Sequence, residues 1–310
     1  MLQTREAVIV DYVRSAFSRS RPREPEKDVF NSLRMDVVAG ALVKELIKRT
    51  KIKPEQINDL LVGTAFPVGE QWVYGGRSVI FEAELPFEVP GQQVDRQCGS
   101  SMSAIHTGAM EIMLGYSDII IACGIEHMTH IPMPGPGIDL SKMMRSPDPA
   151  LITDPRFKKY DFLTTINMGL TAEKLFLESG LTREDMDKFA LRSQQLAAKA
   201  LAEGYFKGEI MPVEVTLADG TKQVIDCDVS MRADTTLEGL AALKPAFKPD
   251  GQVTAGNSSP LNAGASAVML MSKEKAKEYN LKPLATIVSM GWAGVDPTVM
   301  GKGPVPASKM

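Results

Sequence analysis

The chain has 310 residues, 44% of them apolar, and a formal net charge of −3 at pH 7. That length and apolar content suffice for about two domains with a sizeable core. The small net charge and scattered basic residues exclude a nucleic-acid-binding stripe and a membrane-attracting patch, so no nucleic acid is expected as a partner. The opening Met1-Leu2-Gln3-Thr4-Arg5-Glu6 has no apolar signal region, and no apolar run approaches the ~20 residues of a membrane span. The odd, sparse cysteine set, Cys98, Cys123 and Cys227, fits a reducing compartment without a disulfide framework. The expected location is therefore intracellular, with the cytoplasm as compartment.

Ala7 to Val13 reads as a strand. Residues from about Ser32 to Arg49 read as a helix carrying Leu33, Val37, Ala41 and Leu42 on one side, with Lys48 and Arg49 suited to its C-terminus. A strand from Asp59 to Phe66 precedes a Gly/Pro/aromatic connection and a short apolar strand leading to Cys98. Residues 99 to 115 place Met102, Ile105, Ala109, Ile112 and Met113 at helical spacing and stop at Gly115. Ile119 to Cys123 reads as a buried strand with Cys123 in the core. Strands alternating with helices imply an α/β layer with a mostly parallel sheet.

From His127 to Asp161 the pattern breaks, and Pro132-Met133-Pro134-Gly135-Pro136-Gly137 cannot continue a helix or a central strand. A long functional excursion is expected there. Two helices follow, Gly169 to Glu178 and one opened by Thr182 as N-cap. The second carries Met186, Phe189, Ala190, Leu196, Ala197, Ala200 and Leu201 and stops at Gly204. Residues 128–261 thus form an expected inserted, mostly helical domain, and strand chemistry returns from Ala265 to Met271. Residues 285–289 echo residues 7–11, as if a second copy of the first half began near Pro283 and stopped just after a helix-starting Pro306. So short a unit has no core of its own, since chains below ~40 residues seldom fold unaided, and the sequence reads as cut off.

Cys98 is the residue whose address points to chemistry. In Val94-Asp95-Arg96-Gln97-Cys98-Gly99-Ser100-Ser101 a strand ends and a helix begins. A helix N-terminus offers unpaired N–H groups and a positive dipole end, both of which favour a thiolate. His106, eight residues on, lies ~12 Å along the helix axis, too far for direct proton transfer. His127 and His130 lack a third ligand, so no metal is expected. Gly75-Gly76-Arg77 and Gly135-Pro136-Gly137 lack dinucleotide or phosphate-loop spacing, so neither NAD nor ATP is expected.

Five segments in order resemble thiolases: the Cys98 motif, Gly124-Ile125-Glu126-His127-Met128, Met168-Gly169-Leu170-Thr171-Ala172-Glu173, Val253-Thr254-Ala255-Gly256-Asn257-Ser258-Ser259, and Asp296-Pro297-Thr298-Val299-Met300-Gly301 running into Gly303-Pro304-Val305-Pro306-Ala307. The resemblance implies a layered αβαβα fold of the α/β class. Residues 1–127 and 262–283 would form the N-terminal thiolase domain, 128–261 the inserted loop domain, and 284–310 the start of a C-terminal domain. The activity it implies is thiolytic cleavage of a 3-ketoacyl-CoA through a Cys98 acyl-enzyme, with the Cys98 backbone N–H helping to hold an oxyanion. Coenzyme A is then a co-substrate, and no cofactor is permanently bound.

By the same resemblance the CoA contacts fall on Met168, Arg232, Phe247, Ala255, Ser259 and Met300. Arg232 would meet the phosphates, and the others would line the pantetheine tunnel. A homodimer or homotetramer is implied, with membership of a β-oxidation complex as a further possibility. Asn167 and Gly239 stand where biosynthetic members often place histidine and serine, and Glu126-His127-Met128 followed by His130-Ile131-Pro132-Met133 is more similar to the degradative branch. Thiolases normally continue beyond this point with further catalytic motifs, so little turnover is expected of these residues alone. An acetoacetyl-CoA-forming thiolase, a decarboxylating ketoacyl synthase and a non-catalytic acyl-CoA-binding protein stay open as alternatives.

Overall fold

The computed structural model describes residues 4–133 and 148–310. The chain opens with β1 (Ala7–Arg14), β2 (Ser18–Arg19), α1 (Met35–Thr50), β3 (Asp59–Gly63), α2 (Arg77–Glu82), β4 (Gly91–Val94), α3 (Ser100–Leu114) and β5 (Ile119–His127). Off the sheet come α4 (Ala150–Thr153), α5 (Phe162–Thr165), α6 (Met168–Ser179), α7 (Arg183–Ala202), the hairpin strands β6 (Val213–Thr216) and β7 (Lys222–Ile225), and α8 (Leu237–Ala241). The chain then re-enters the sheet as β8 (Asn262–Ser272) and continues through α9 (Lys273–Glu278), β9 (Ala285–Thr286) and α10 (Pro304–Ser308).

The main path of the sheet runs β4-β3-β5-β8-β1-β9, with β2 paired to β8. It is mixed, which corrects the expectation of a mostly parallel sheet. β3 pairs in parallel with β4 and β5, but β8 lies antiparallel between β5 and β1. Both faces are covered, and the period-two alternation of a strand sorts its side chains between them. Leu60, Val62, Ile119, Ile121, Met269 and Met271 join α1 in one core, while Leu61, Ile120, Ala122 and Leu270 pack with Ala104, Ala109 and Ile112 of α3 in another. Gly108 lets α3 lie close to the sheet, since a Cβ there would come within 2.9 Å of Ile120.

Several element bounds differ from expectation for local reasons. α1 starts at Met35 because Asp28 holds residues 28–31 in a turn, accepting from the Phe30 N–H through its side chain and from the Asn31 N–H through its carbonyl. β3 stops at Gly63: the Thr64 N–H still reaches the Val94 carbonyl, but that of Ala65 turns to Glu126. β4, sequence Gly-Gln-Gln-Val, is polar rather than apolar, and β9 is two residues long and pairs with β1, the strand it echoes. α10 begins at Pro304, not Pro306. Residues 134–147 of the expected break lie outside the described residues, and residues 150–165 form short helical turns. α7 has its Thr182–Asp185 capping box, yet Phe189 and Leu196 on it are 70% and 49% exposed. Within the off-sheet segment, Ile210, Val215 and Ile225 are buried in the same core as α1.

Candidate active site

Cys98 is exposed on a tight turn between β4 and α3, one residue before Gly99, the N-cap of α3. The turn is fixed from within: the Gly99 N–H donates to the Arg96 carbonyl, the Ser100 N–H to that of Gln97, and the Arg96 N–H to Ser100 Oγ. Gln97 has φ +48°, a left-handed conformation that costs a non-glycine residue energy and recurs at functional sites. Two sheet glycines seat the helix start beneath this turn. A Cβ on Gly63 would lie 2.4 Å from Ser101 N, and one on Gly124 would lie 2.8 Å from Ser101 Cβ. Gly63 and Gly124 are direct partners across β3 and β5. The α3 N-terminus can therefore approach the sheet only because two adjacent positions lack side chains.

Behind Gly124 the motif continues into a buried polar layer. Glu126 accepts from Ala65 N and Gln71 Nε2, and burial pushes its carboxyl up. His127 and His130 stack with ring centroids 3.7 Å apart and planes 6° from parallel. Burial and then the charge of His130 lower the His127 pKa, whereas the hydrogen bond to Glu70 raises that of His130. Their partners are Phe30 O for His127, and Glu70 and Asn31 for His130. No group of three His, Cys, Asp or Glu able to hold a metal occurs among the described residues. His106 packs edge-on against Trp292 at 5.0 Å.

A cleft of about 1050 Å³ opens beside α6, and it brings together Met168, Phe247 and Ser259 of the expected CoA contacts, with Asn167, Met128 and Arg21 alongside. Gly169 makes room for Phe247, whose ring atoms would be 2.0 Å from a Cβ there. Arg232 instead borders a separate pocket of about 430 Å³ with Arg19, and it is exposed. Neither Ala255, Met300 nor Cys98 is among the described residues lining the cleft. Met300 is 38% exposed on a segment docked to α6 by hydrogen bonds from Lys174 to Thr298 and from Lys302 to Glu178. Asn167 caps α6 by accepting from Leu170 N, and Gly239 donates its N–H to Thr236.

The residues that hold the cleft loop carry no signal by composition. Glu173, 3% exposed, accepts from the backbone N–H groups of Gln252 and Val253. Asn257 Oδ1 accepts from Thr254 N, while its Nδ2 donates to Asp187, itself paired with Arg183 on α7. Their place inside two of the five sequence motifs was the one available clue.

Residues 7–274 match the family model for the thiolase N-terminal domain. The chain belongs to the thiolase family. It is thereby an acyltransferase, and a thiolase fold with a central mixed sheet is what its solved neighbours share with it. Among thiolase relatives, the 3-ketoacyl-CoA thiolases of Marinomonas sp. (strain MWYL1) and Acinetobacter baumannii are 41% and 43% identical, each over 99% of this chain and 74% of their own length. A human mitochondrial 3-ketoacyl-CoA thiolase is superposed at TM-score 0.83 with 31% identity, over 100% of this chain and 76% of that one. A Bacillus anthracis acetyl-CoA acetyltransferase reaches TM-score 0.82 at 34% identity, over 100% and 76%. No helix among the described residues is long and apolar enough to cross a membrane.

Proposed function

We propose that this thiolase cleaves 3-ketoacyl-CoA in fatty-acid β-oxidation, with Cys98 as nucleophile and CoA as co-substrate. The observation that carries the reading is the glycine-seated turn, which presents an exposed thiol at the N-terminus of a 15-residue helix. The Cys98 thiolate attacks the 3-keto carbon, and the C2–C3 bond breaks with its electron pair passing to C2, which is protonated as acetyl-CoA leaves. The thiolate of CoA then attacks the Cys98 thioester, releasing a shortened acyl-CoA and regenerating the Cys98 thiolate. Donors at the helix start suit the oxyanion of both steps.

Met168, Phe247 and Ser259 would line the pantetheine arm, Arg232 would meet phosphate, and Ala255 and Met300 would complete the approach. The corresponding division of the chain is a thiolase domain at 1–127 and 262–283, an insert at 128–261, and a second thiolase domain begun at 284. Self-association and a cytoplasmic location belong to the same reading. The acetyl-CoA acetyltransferase likeness supports a second reading, acetoacetyl-CoA synthesis. Incubation with acetyl-CoA followed by peptide mass spectrometry should find acetyl on Cys98 and none after Cys98→Ala; label elsewhere, or retained in that variant, removes Cys98 from its role. Thiolysis compared across 3-ketoacyl-CoA chain lengths separates the two readings, since activity confined to acetoacetyl-CoA favours the second.

A further inference from the structure

The stretch after β1 carries arginines that the functional reading above leaves unused. Arg19 borders the smaller pocket together with Arg232, while Ser20 and Arg21 border the main cleft, so three consecutive residues face both cavities. Arg21 Nε is buried without a hydrogen-bond partner, which is destabilising unless a ligand accepts from it. Burial, then the charges of Arg21 and Arg232, lower the Arg19 pKa, in keeping with Arg19 standing between the pocket it shares with Arg232 and the cleft lined by Arg21. Among the described residues none of the three is ion-paired to a carboxylate. The acids nearby are Asp234, which lines the smaller pocket, and Glu24, which lines the cleft, is paired with Lys27 and also feels the charge of Arg21 without a salt bridge to it. In a chain of net charge −3, three guanidiniums without a salt bridge among the described residues are a local concentration of positive charge.

We propose that Arg19 and Arg21 join Arg232 in a polyanion site spanning the two cavities, which holds the phosphates of CoA. This rests on the thiolase reading and adds two residues to it. The charge count favours CoA: a carboxylate at the end of an acyl chain, or the single phosphodiester of a carrier-bound pantetheine arm, leaves guanidiniums unmatched. CoA brings a diphosphate and a 3′-phosphate. Arginine forks suit phosphate oxygens bidentately.

The test is calorimetric binding of CoA, dephospho-CoA and pantetheine to the full chain and to the R19Q/R21Q and R19K/R21K variants. The Gln pair should bind CoA about 10-fold or more weakly and pantetheine unchanged, with the Lys pair between wild type and the Gln pair. Raising salt should weaken CoA binding to wild type more than to the Gln pair. Unchanged CoA affinity in the Gln pair, or an equal loss for pantetheine, overturns the proposal while leaving the thiolase reading intact. If thermal midpoints show the Gln pair unfolded, the Lys pair decides by the same CoA-to-pantetheine ratio. A wild-type chain that binds neither CoA nor pantetheine overturns both.

Discussion

Gly63→Ala is the sharpest test of how the fold aims Cys98. The added Cβ would lie 2.4 Å from Ser101 N, 2.5 Å from Ser100 C and 2.6 Å from Ser101 Cα, all of them backbone atoms. Comfortable heavy-atom contact begins near 3.5 Å, so β3 and the α3 N-terminus must separate by about 1 Å. Overpacking of this kind costs about 1–3 kcal/mol of stability. A misplacement of that size costs a reacting group up to about 100-fold in rate. Gly40→Ala is the matched control: its Cβ would lie 2.4 Å from Glu82 Cβ and 2.8 Å from Glu82 C, between α1 and α2 on the opposite face of the sheet. Both variants should lose similar stability by urea unfolding. Stopped-flow acetylation of Cys98 by acetyl-CoA should fall at least about 10-fold in Gly63→Ala alone. Wild-type acetylation in Gly63→Ala, or an equal loss in Gly40→Ala, refutes the claim that the glycine seat positions the nucleophile.

Four further outcomes follow from the same structure. Glu173→Ala leaves the Gln252 and Val253 N–H groups without their acceptor and should cost about 3 kcal/mol by denaturant midpoint, against about 1 kcal/mol for Glu173→Gln, which keeps one oxygen; equal losses would count against the carboxylate clamp. Gly169→Ala should displace the Phe247 ring and weaken pantetheine binding several-fold, measured by calorimetry, with unchanged affinity as the contrary result. Burial pushes the Cys123 thiol up to about 12, and burial followed by Asp226 and Asp228 raises that of Cys227, so iodoacetamide at pH 8 should alkylate Cys98 first. The hydrogen bond to Glu70 raises the His130 pKa above its ordinary 6.5, so the pair's stabilisation is full below that value and is lost as pH rises through the folded pKa. Urea midpoints of wild type and Glu70→Gln should accordingly differ most near pH 6 and converge as pH rises past the raised His130 pKa; a gap that widens with pH contradicts this.

Much of the first half was legible because its signals are local. Continuous apolar runs such as Ile119–Cys123 can be strands buried on both faces, Gly115 with φ +81° stops α3, and Thr182 with Asp185 opens α7. Where reading failed, a distant partner decided. The apolar residues along α7 signalled a buried face, but the helix buries only Asp187, whose partners are Arg183 and Asn257. Met102, placed at core spacing on α3, is 57% exposed.

The amino-acid sequence by itself determined the α/β class, the strand-to-helix address of Cys98 and, through five ordered motifs, the family. These are properties of neighbouring residues, since strand period, turn chemistry and motif spacing all act over a few positions. Only the tertiary structure decided that β8 inserts antiparallel between β5 and β1 after an excursion of more than a hundred residues. It alone showed that Gly63 and Gly124 meet under Ser101, that Glu173 clamps residues 252 and 253, and that Arg19 shares a pocket with Arg232 while Arg21 lines the cleft. Such contacts join positions far apart in the chain, and their energies come from close approach and buried polar pairing, which leave no periodic trace in either partner's own segment.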